Sequence, residues 1–162
     1  MGQTTFPNMM ALLGGMEAND NPCLGGDGFN KMDDCPLMFR EFSRVNYVTG
    51  FTEDWPRIAI FNYKDTGFVS QPSDYYYRPF TTAYFSETSN CTGGKTGLSE
   101  TESHLKYVTD FLKEMGKDAG RRNSTTTTVG NKSTPFFLFS YFTQISHNSM
   151  NTLKVRPQPH KS

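Results

Sequence analysis

The sequence predicts an α/β fold with a mainly parallel sheet flanked by helices, and three stretches carry that prediction. Tyr47-Val48-Thr49-Gly50-Phe51-Thr52 is short, β-branched and aromatic, and it runs into Glu53-Asp54, polar residues at the carboxyl end of a strand. Phe136 to Phe142 is too short for a membrane span of roughly 18 residues and reads as a strand buried on both faces. Between them Ser99 to Met115 repeats apolar residues at helical steps, so helices and strands alternate along the chain.

Taken in order, the first element is a helix opening at Thr4-Thr5-Phe6-Pro7. Thr5 is expected as its N-cap, Pro7 is tolerated in a first turn whose N–H groups have no acceptor, and Gly14-Gly15 ends it. A hydroxyl at that position lies at the positive end of a helix dipole, where anions collect. Met16 to Asp34 is read as a polar loop dense in turn residues, without the spacing of a calcium-binding EF-hand. Asp34-Cys35-Pro36 opens a short helix with Leu37, Met38, Phe39 and Phe42 on its apolar face.

The block from Phe61 to Phe80 is rich in Tyr and Phe, which either pack or form a pocket wall with Arg78. Thr81 to Gly97 reads as a polar linker. Ser99-x-x-Glu102 is a capping box opening a helix whose stripe is Leu105, Val108, Leu112 and Met115 with Phe111 alongside, with Gly116 as its stop and His104 off the stripe in solvent. Lys117 to Thr134 has no apolar period and is expected as a loop, and residues 156–162 as a disordered tail behind one domain over 1–155.

Sixteen basic and sixteen acidic side chains balance, and the single small basic cluster, at Arg121-Arg122, excludes a nucleic-acid footprint. No membrane span and no signal peptide are visible. Cys23 and Cys35 bracket one loop, so a Cys23–Cys35 bridge is one pairing and leaves Cys91 over. Asn90, Asn123 and Asn131 each begin a glycosylation sequon in a polar stretch, and together with the cysteines they favour an extracellular or secretory-lumen setting.

Thr5-x-Pro7 followed by Ala11-Leu12-Leu13-Gly14-Gly15 resembles the nucleophile segment of sulfatases and alkaline-phosphatase-like hydrolases. The chain is still more similar to an uncharacterised sulfatase-like animal family, the domain-of-unknown-function 229 family. Three further segments agree in order: Asn46-Tyr47-Val48-Thr49 with Glu53-Asp54-Trp55; Phe61-Asn62-Tyr63, Gly67-Phe68 and Pro72-Ser73-Asp74-Tyr75-Tyr76-Tyr77-Arg78-Pro79-Phe80; and Ser146-His147-Asn148 after the aromatic strand. Asn46 replaces a turn glycine, which Asn can do because it tolerates positive φ. Asp54 stands where sulfatases use a lysine, and Asn148 where the animal family has an aspartate.

The resemblance implies a partial alkaline-phosphatase-like fold and a metal-dependent phosphoryl- or sulfuryl-ester hydrolase ancestry. Thr5 falls on the nucleophile and His147 on a residue facing the reacting ester oxygen, while Asp54 and Arg78 are carried as pocket residues. A threonine cannot be oxidised to the formyl group that sulfatases use, so direct attack and phosphoryl-type transfer are expected. In the family a divalent metal of zinc, manganese or calcium type is held by an aspartate before the nucleophile and an Asp-His pair after the last strand, neither present in this sequence. Thr5 alone would touch such a metal, and only with those ligands supplied.

The expectation is therefore a truncated, inactive member that needs no cofactor by itself. A longer relative would take a small phospho- or sulfo-ester or a glycan. The alternative is a non-catalytic secreted glycoprotein or binding module that keeps the fold. Thr5 and His147 are further expected to face one shallow pocket about 5–9 Å apart, a spacing set by hydrogen bonds of about 3 Å to one tetrahedral oxyanion, with Asp54 at the rim.

Overall fold

A computed structural model describes residues 4–17, 32–62, 67–87, 97–120 and 134–143, with only the backbone described at 87 and 118–120. Helix α1 runs Thr5–Gly14, and its N-cap is Thr4, whose φ of −131° and ψ of 170° are extended. Thr5 is thus the first helical residue and not the cap, a one-residue correction. The Thr4 hydroxyl makes no capping bond, while the Asn8 side-chain amide donates to the Thr4 carbonyl at 2.9 Å. Pro7 remains within the first turn, where its missing N–H costs nothing. Gly15, at φ 64°, closes the helix in the left-handed conformation, its N–H on the Ala11 carbonyl at 3.1 Å.

Where the sequence reads as continuous loop, Met32–Asp34 forms a 3-10 turn. The Asp33 carboxylate accepts the N–H groups of Val69 and Ser70, both at 2.8 Å, and so pins two distant segments together. Helix α2 covers Met38–Arg44, starting later than Pro36 because Leu37 is still extended. Leu37 and Phe39 are fully buried but Met38 points outward, so its apolar face is narrower than expected. Asn46 then takes φ 63°, the turn conformation predicted for it.

Strands β1 (Val48–Glu53), β2 (Tyr75–Tyr76) and β3 (Phe136–Tyr141) form a parallel sheet in the order β2-β1-β3, so the predicted α/β architecture holds. Gly50 stands opposite both Tyr75 and Leu138, and Thr52 opposite Ser140. Strand β3 is packed on both faces, by Phe42 on Phe137 at 4.4 Å and by Phe111 on Phe136 at 5.6 Å. Every one of its residues nonetheless keeps partial exposure, because β3 is the outer strand of the described sheet. The full burial read from its composition is corrected to half burial.

One sheet face rests on an aromatic core. Phe51 stacks on Phe39 at 5.5 Å and on Tyr76 at 5.8 Å, and meets Phe61 at 5.9 Å, with Met10, Leu13, Met32 and Leu37 packed around them. Helix α3 (Arg78–Glu87) occupies what reads as linker. Its polar composition hides the tertiary contacts that hold it, namely Phe85 stacked on Trp55 at 6.2 Å and the Tyr84 hydroxyl donating to the Leu98 carbonyl at 2.6 Å.

Helix α4 (Glu100–Gly120) covers the other face. Its capping box forms as predicted, Glu102 accepting the Ser99 N–H at 2.8 Å and Ser99 Oγ accepting the Glu102 N–H at 3.2 Å. The helix does not stop at Gly116, an exposed glycine whose cost of about 1 kcal/mol a long helix absorbs. Its buried face is also displaced from the predicted stripe. Phe111 and His104 are buried, whereas Leu105 and Leu112 are 47% and 46% exposed. Gly50 explains the seat, since a Cβ there would lie 2.6 Å from Leu138 Cδ1 and 3.6 Å from the Phe111 ring. Among the described residues no helix is long and apolar enough to cross a membrane.

Candidate functional site

Alternation along β1 sends Thr52 towards α4 and Glu53 towards the aromatic core, so the strand's carboxyl end carries polar groups on both faces. Glu53 is 2% exposed. Its Oε1 accepts the Ile60 N–H at 2.7 Å, while Oε2 has no partner among the described residues. Burial pushes its acid up to about 7, against the pull of the Ile60 N–H and the Arg78 charge. Asp54, wholly buried, accepts the Thr143 N–H on Oδ1 at 2.7 Å and so ties the end of β1 to the chain leaving β3. It is a buried clamp and not a rim residue.

On the α4 face, His104 Nε2 lies 2.7 Å from Thr52 Oγ1 and 3.2 Å from Ser140 Oγ. The ring is sandwiched by Tyr77 at 5.2 Å and Phe142 at 4.3 Å, and Nδ1 has no partner among the described residues. Burial lowers its pKa to about 4, so the imidazole is neutral at physiological pH. The expectation of a solvated His104 is therefore overturned: one imidazole bridges the hydroxyls of two neighbouring strands. Its spacing of seven residues from Phe111, the same helical face two turns on, is the sequence signal that could have shown it.

The predicted site residues divide into those described and those beyond description. Thr5 opens α1, and the next residue, Phe6, packs edge-on against Phe61 at 6.3 Å. Phe61 follows Ile60, whose N–H holds Glu53, so contacts run from the first turn of α1 to the carboxyl end of β1. Arg78 opens α3 and donates from Nη1 to the Pro56 carbonyl at 2.6 Å. Beside it lies an open cleft of about 420 Å³ whose lining includes Pro56, Arg57, Asn62, Arg78, Thr82 and Phe85, together with Ser86. Arg57 was not singled out from the sequence, because a lone exposed arginine in a turn carries no pattern.

His147, Cys23, Asn90, Asn123, Asn131 and the tail at 156–162 lie outside the described residues. Cys35 is buried and disulfide-bonded, and Cys23 and Cys91 both lie outside the described residues.

A divalent centre needs several convergent oxygen, nitrogen or sulfur ligands. Among the described residues no three His, Cys, Asp or Glu side chains converge, and the Asp54 and Glu53 carboxylates each hold a backbone N–H with one oxygen. These residues by themselves do not fit a metal, and no chemical step is assigned through one. What the arrangement offers at the carboxyl end of the central strand is two buried acids, with a cleft lined by Arg57 and Arg78 beside the turn that follows it.

Comparison with curated proteins finds no match, and comparison with solved structures finds none either. A family model, described as a protein of unknown function, DUF229, matches residues 1–158. That match spans nearly the whole chain, including the four segments named above, and the chain belongs to the DUF229 family.

Proposed function

We propose that this chain carries the acceptor and pocket part of a phosphoryl- or sulfuryl-ester hydrolase-like site, with Thr5 as nucleophile, and that by itself it does not turn substrate over. The observation that carries the reading is the chain of contacts from the first turn of α1, through Phe6 and Phe61, to buried Glu53 and Asp54 at the carboxyl end of β1. In parallel α/β sheets that end is where ligands bind. A hydroxyl in the first turn of a helix sits where the dipole favours a developing anion. His147 is proposed as the oxyanion-facing partner and Arg78 as the anchor of the pocket. Asp54 acts on it from below, by holding the segment that leaves β3. Turnover awaits metal ligands that the described residues do not include.

The test pairs two proteins. The purified chain, supplied with Zn²⁺, Mn²⁺ or Ca²⁺, is expected to hydrolyse neither 4-nitrophenyl phosphate nor 4-nitrophenyl sulfate. The product of the reading frame extended in both directions is expected to hydrolyse at least one of them and to lose that activity in Thr5→Ala. An extended product without turnover, or with turnover indifferent to Thr5→Ala, overturns the proposal.

A second reading, a non-catalytic secreted glycoprotein module, is favoured by the disulfide at Cys35 together with the sequons at Asn90, Asn123 and Asn131. Both readings propose an extracellular or luminal setting and a Cys23–Cys35 bridge. Non-reducing peptide mapping of secreted material checks the bridge, and a Cys35–Cys91 peptide would refute it.

A further inference from the structure

We infer that the cleft between α3 and the turn after β1 binds a phosphate monoester whose alcohol part is flat and apolar, an assignment that rests on the ester-hydrolase-like reading. Arg57 and Arg78 flank the cleft, one from the turn after β1 and one from the first position of α3. Neither guanidinium forms an ion pair among the described residues, where every ion pair lies on an exposed helix surface elsewhere. Arg78 spends one N–H on the Pro56 carbonyl, which fixes its plane and leaves the other donors for a ligand. Two guanidinium groups across one opening match a dianionic phosphate better than a monoanionic sulfate, because each can give charge-assisted bonds to a separate pair of oxygens.

The remaining lining sorts by chemistry. Thr82 stands one helical turn after Arg78, on the same face of α3, and brings a hydroxyl to the anion side. Ser86 already donates its proton to the Ala83 carbonyl, so it serves as an acceptor or not at all. Phe85, stacked on Trp55, and buried Pro56 form the apolar wall. That wall is aromatic and apolar, and it suits a ring better than a sugar.

Calorimetric titration of the purified chain with phenyl phosphate, phenyl sulfate, inorganic phosphate and phenol tests the assignment. Phenyl phosphate is expected to bind most tightly, with an affinity that falls as KCl is added. Arg57→Gln, an exposed position that leaves the fold intact, is expected to weaken it about tenfold, the usual scale for losing a charge-assisted bond. Phe85→Leu should weaken phenyl phosphate and leave inorganic phosphate unchanged. Unaltered binding in Arg57→Gln, or phenol binding as well as phenyl phosphate, overturns the site. Phenyl sulfate binding as tightly as phenyl phosphate overturns the phosphate assignment. The hydrolase reading fails on a different measurement, the Thr5-dependent turnover of the extended protein, so a cleft that binds beside an inactive Thr5 and an active Thr5 beside a cleft that does not bind are separate outcomes.

Discussion

The two faces of β1 end in buried titratable groups that have been handled in opposite ways. On the aromatic face Glu53 keeps one oxygen on the Ile60 N–H and one without a partner among the described residues, and burial raises its pKa to about 7. On the α4 face His104 places one nitrogen between two hydroxyls and has no partner for the other among the described residues, and burial lowers its pKa to about 4. An acid pushed up and a base pushed down both drift towards neutrality. The carboxyl end of the sheet is thereby kept polar at little cost in buried charge.

The largest way to break the comparison is to remove the aromatic scaffold on the Glu53 side. Phe51→Ala deletes a ring in contact with Phe39, Phe61, Phe68, Tyr76 and Phe139, and a loss of about 3–5 kcal/mol is expected in denaturant unfolding. An effect under about 1 kcal/mol would mean that the aromatic face is loosely packed and does not hold Glu53 in place.

The pH dependence sharpens the comparison. His104 has a folded pKa below the ordinary 6.5, so the stability it contributes is complete above pH 6.5 and is lost as pH falls towards 4. Glu53 has a folded pKa above the ordinary 4.5, so its contribution is complete below pH 4.5 and is lost as pH rises through about 7. Between pH 4.5 and 6.5 the two slopes oppose each other in the native protein. Glu53→Gln should leave a protein whose stability climbs with pH across that window, and His104→Gln one whose stability declines, each by at most about 1.4 kcal/mol per pH unit. Urea midpoints at several pH values measure both, and parallel profiles for the two variants would show that the groups are not desolvated as described.

Smaller changes test the elements that aim α4 and β1. Ser99→Ala removes the hydroxyl of the capping box and should cost about 1 kcal/mol, with no change in the pH profile if the cap is independent of His104. Asn46→Gly places at φ 63° the residue best suited to it, and is expected to be neutral or to stabilise by less than about 1 kcal/mol. Loss of stability there would mean that the Asn46 side chain contributes something beyond its backbone conformation.

Local chemistry was enough for several elements. The strand character of β1 and β3, the capping box at Ser99 and Glu102, the left-handed Asn46 and the glycine stop of α1 are all properties of a few adjacent residues, and they were legible in the sequence for that reason. The family, too, was legible in the order of short segments. The rotation of α4 was not, because Leu105 and Leu112 are better apolar residues than His104 by any local measure. Only the notch at Gly50 and the hydroxyls of Thr52 and Ser140, brought level by the strand register, make burying the imidazole the better packing. Asp54 and Arg57 teach the same lesson from the other side. Their types were visible in the chain, but whether a carboxylate clamps Thr143 and whether two arginines line one cleft depends on segments far apart in sequence, and that only tertiary structure decides.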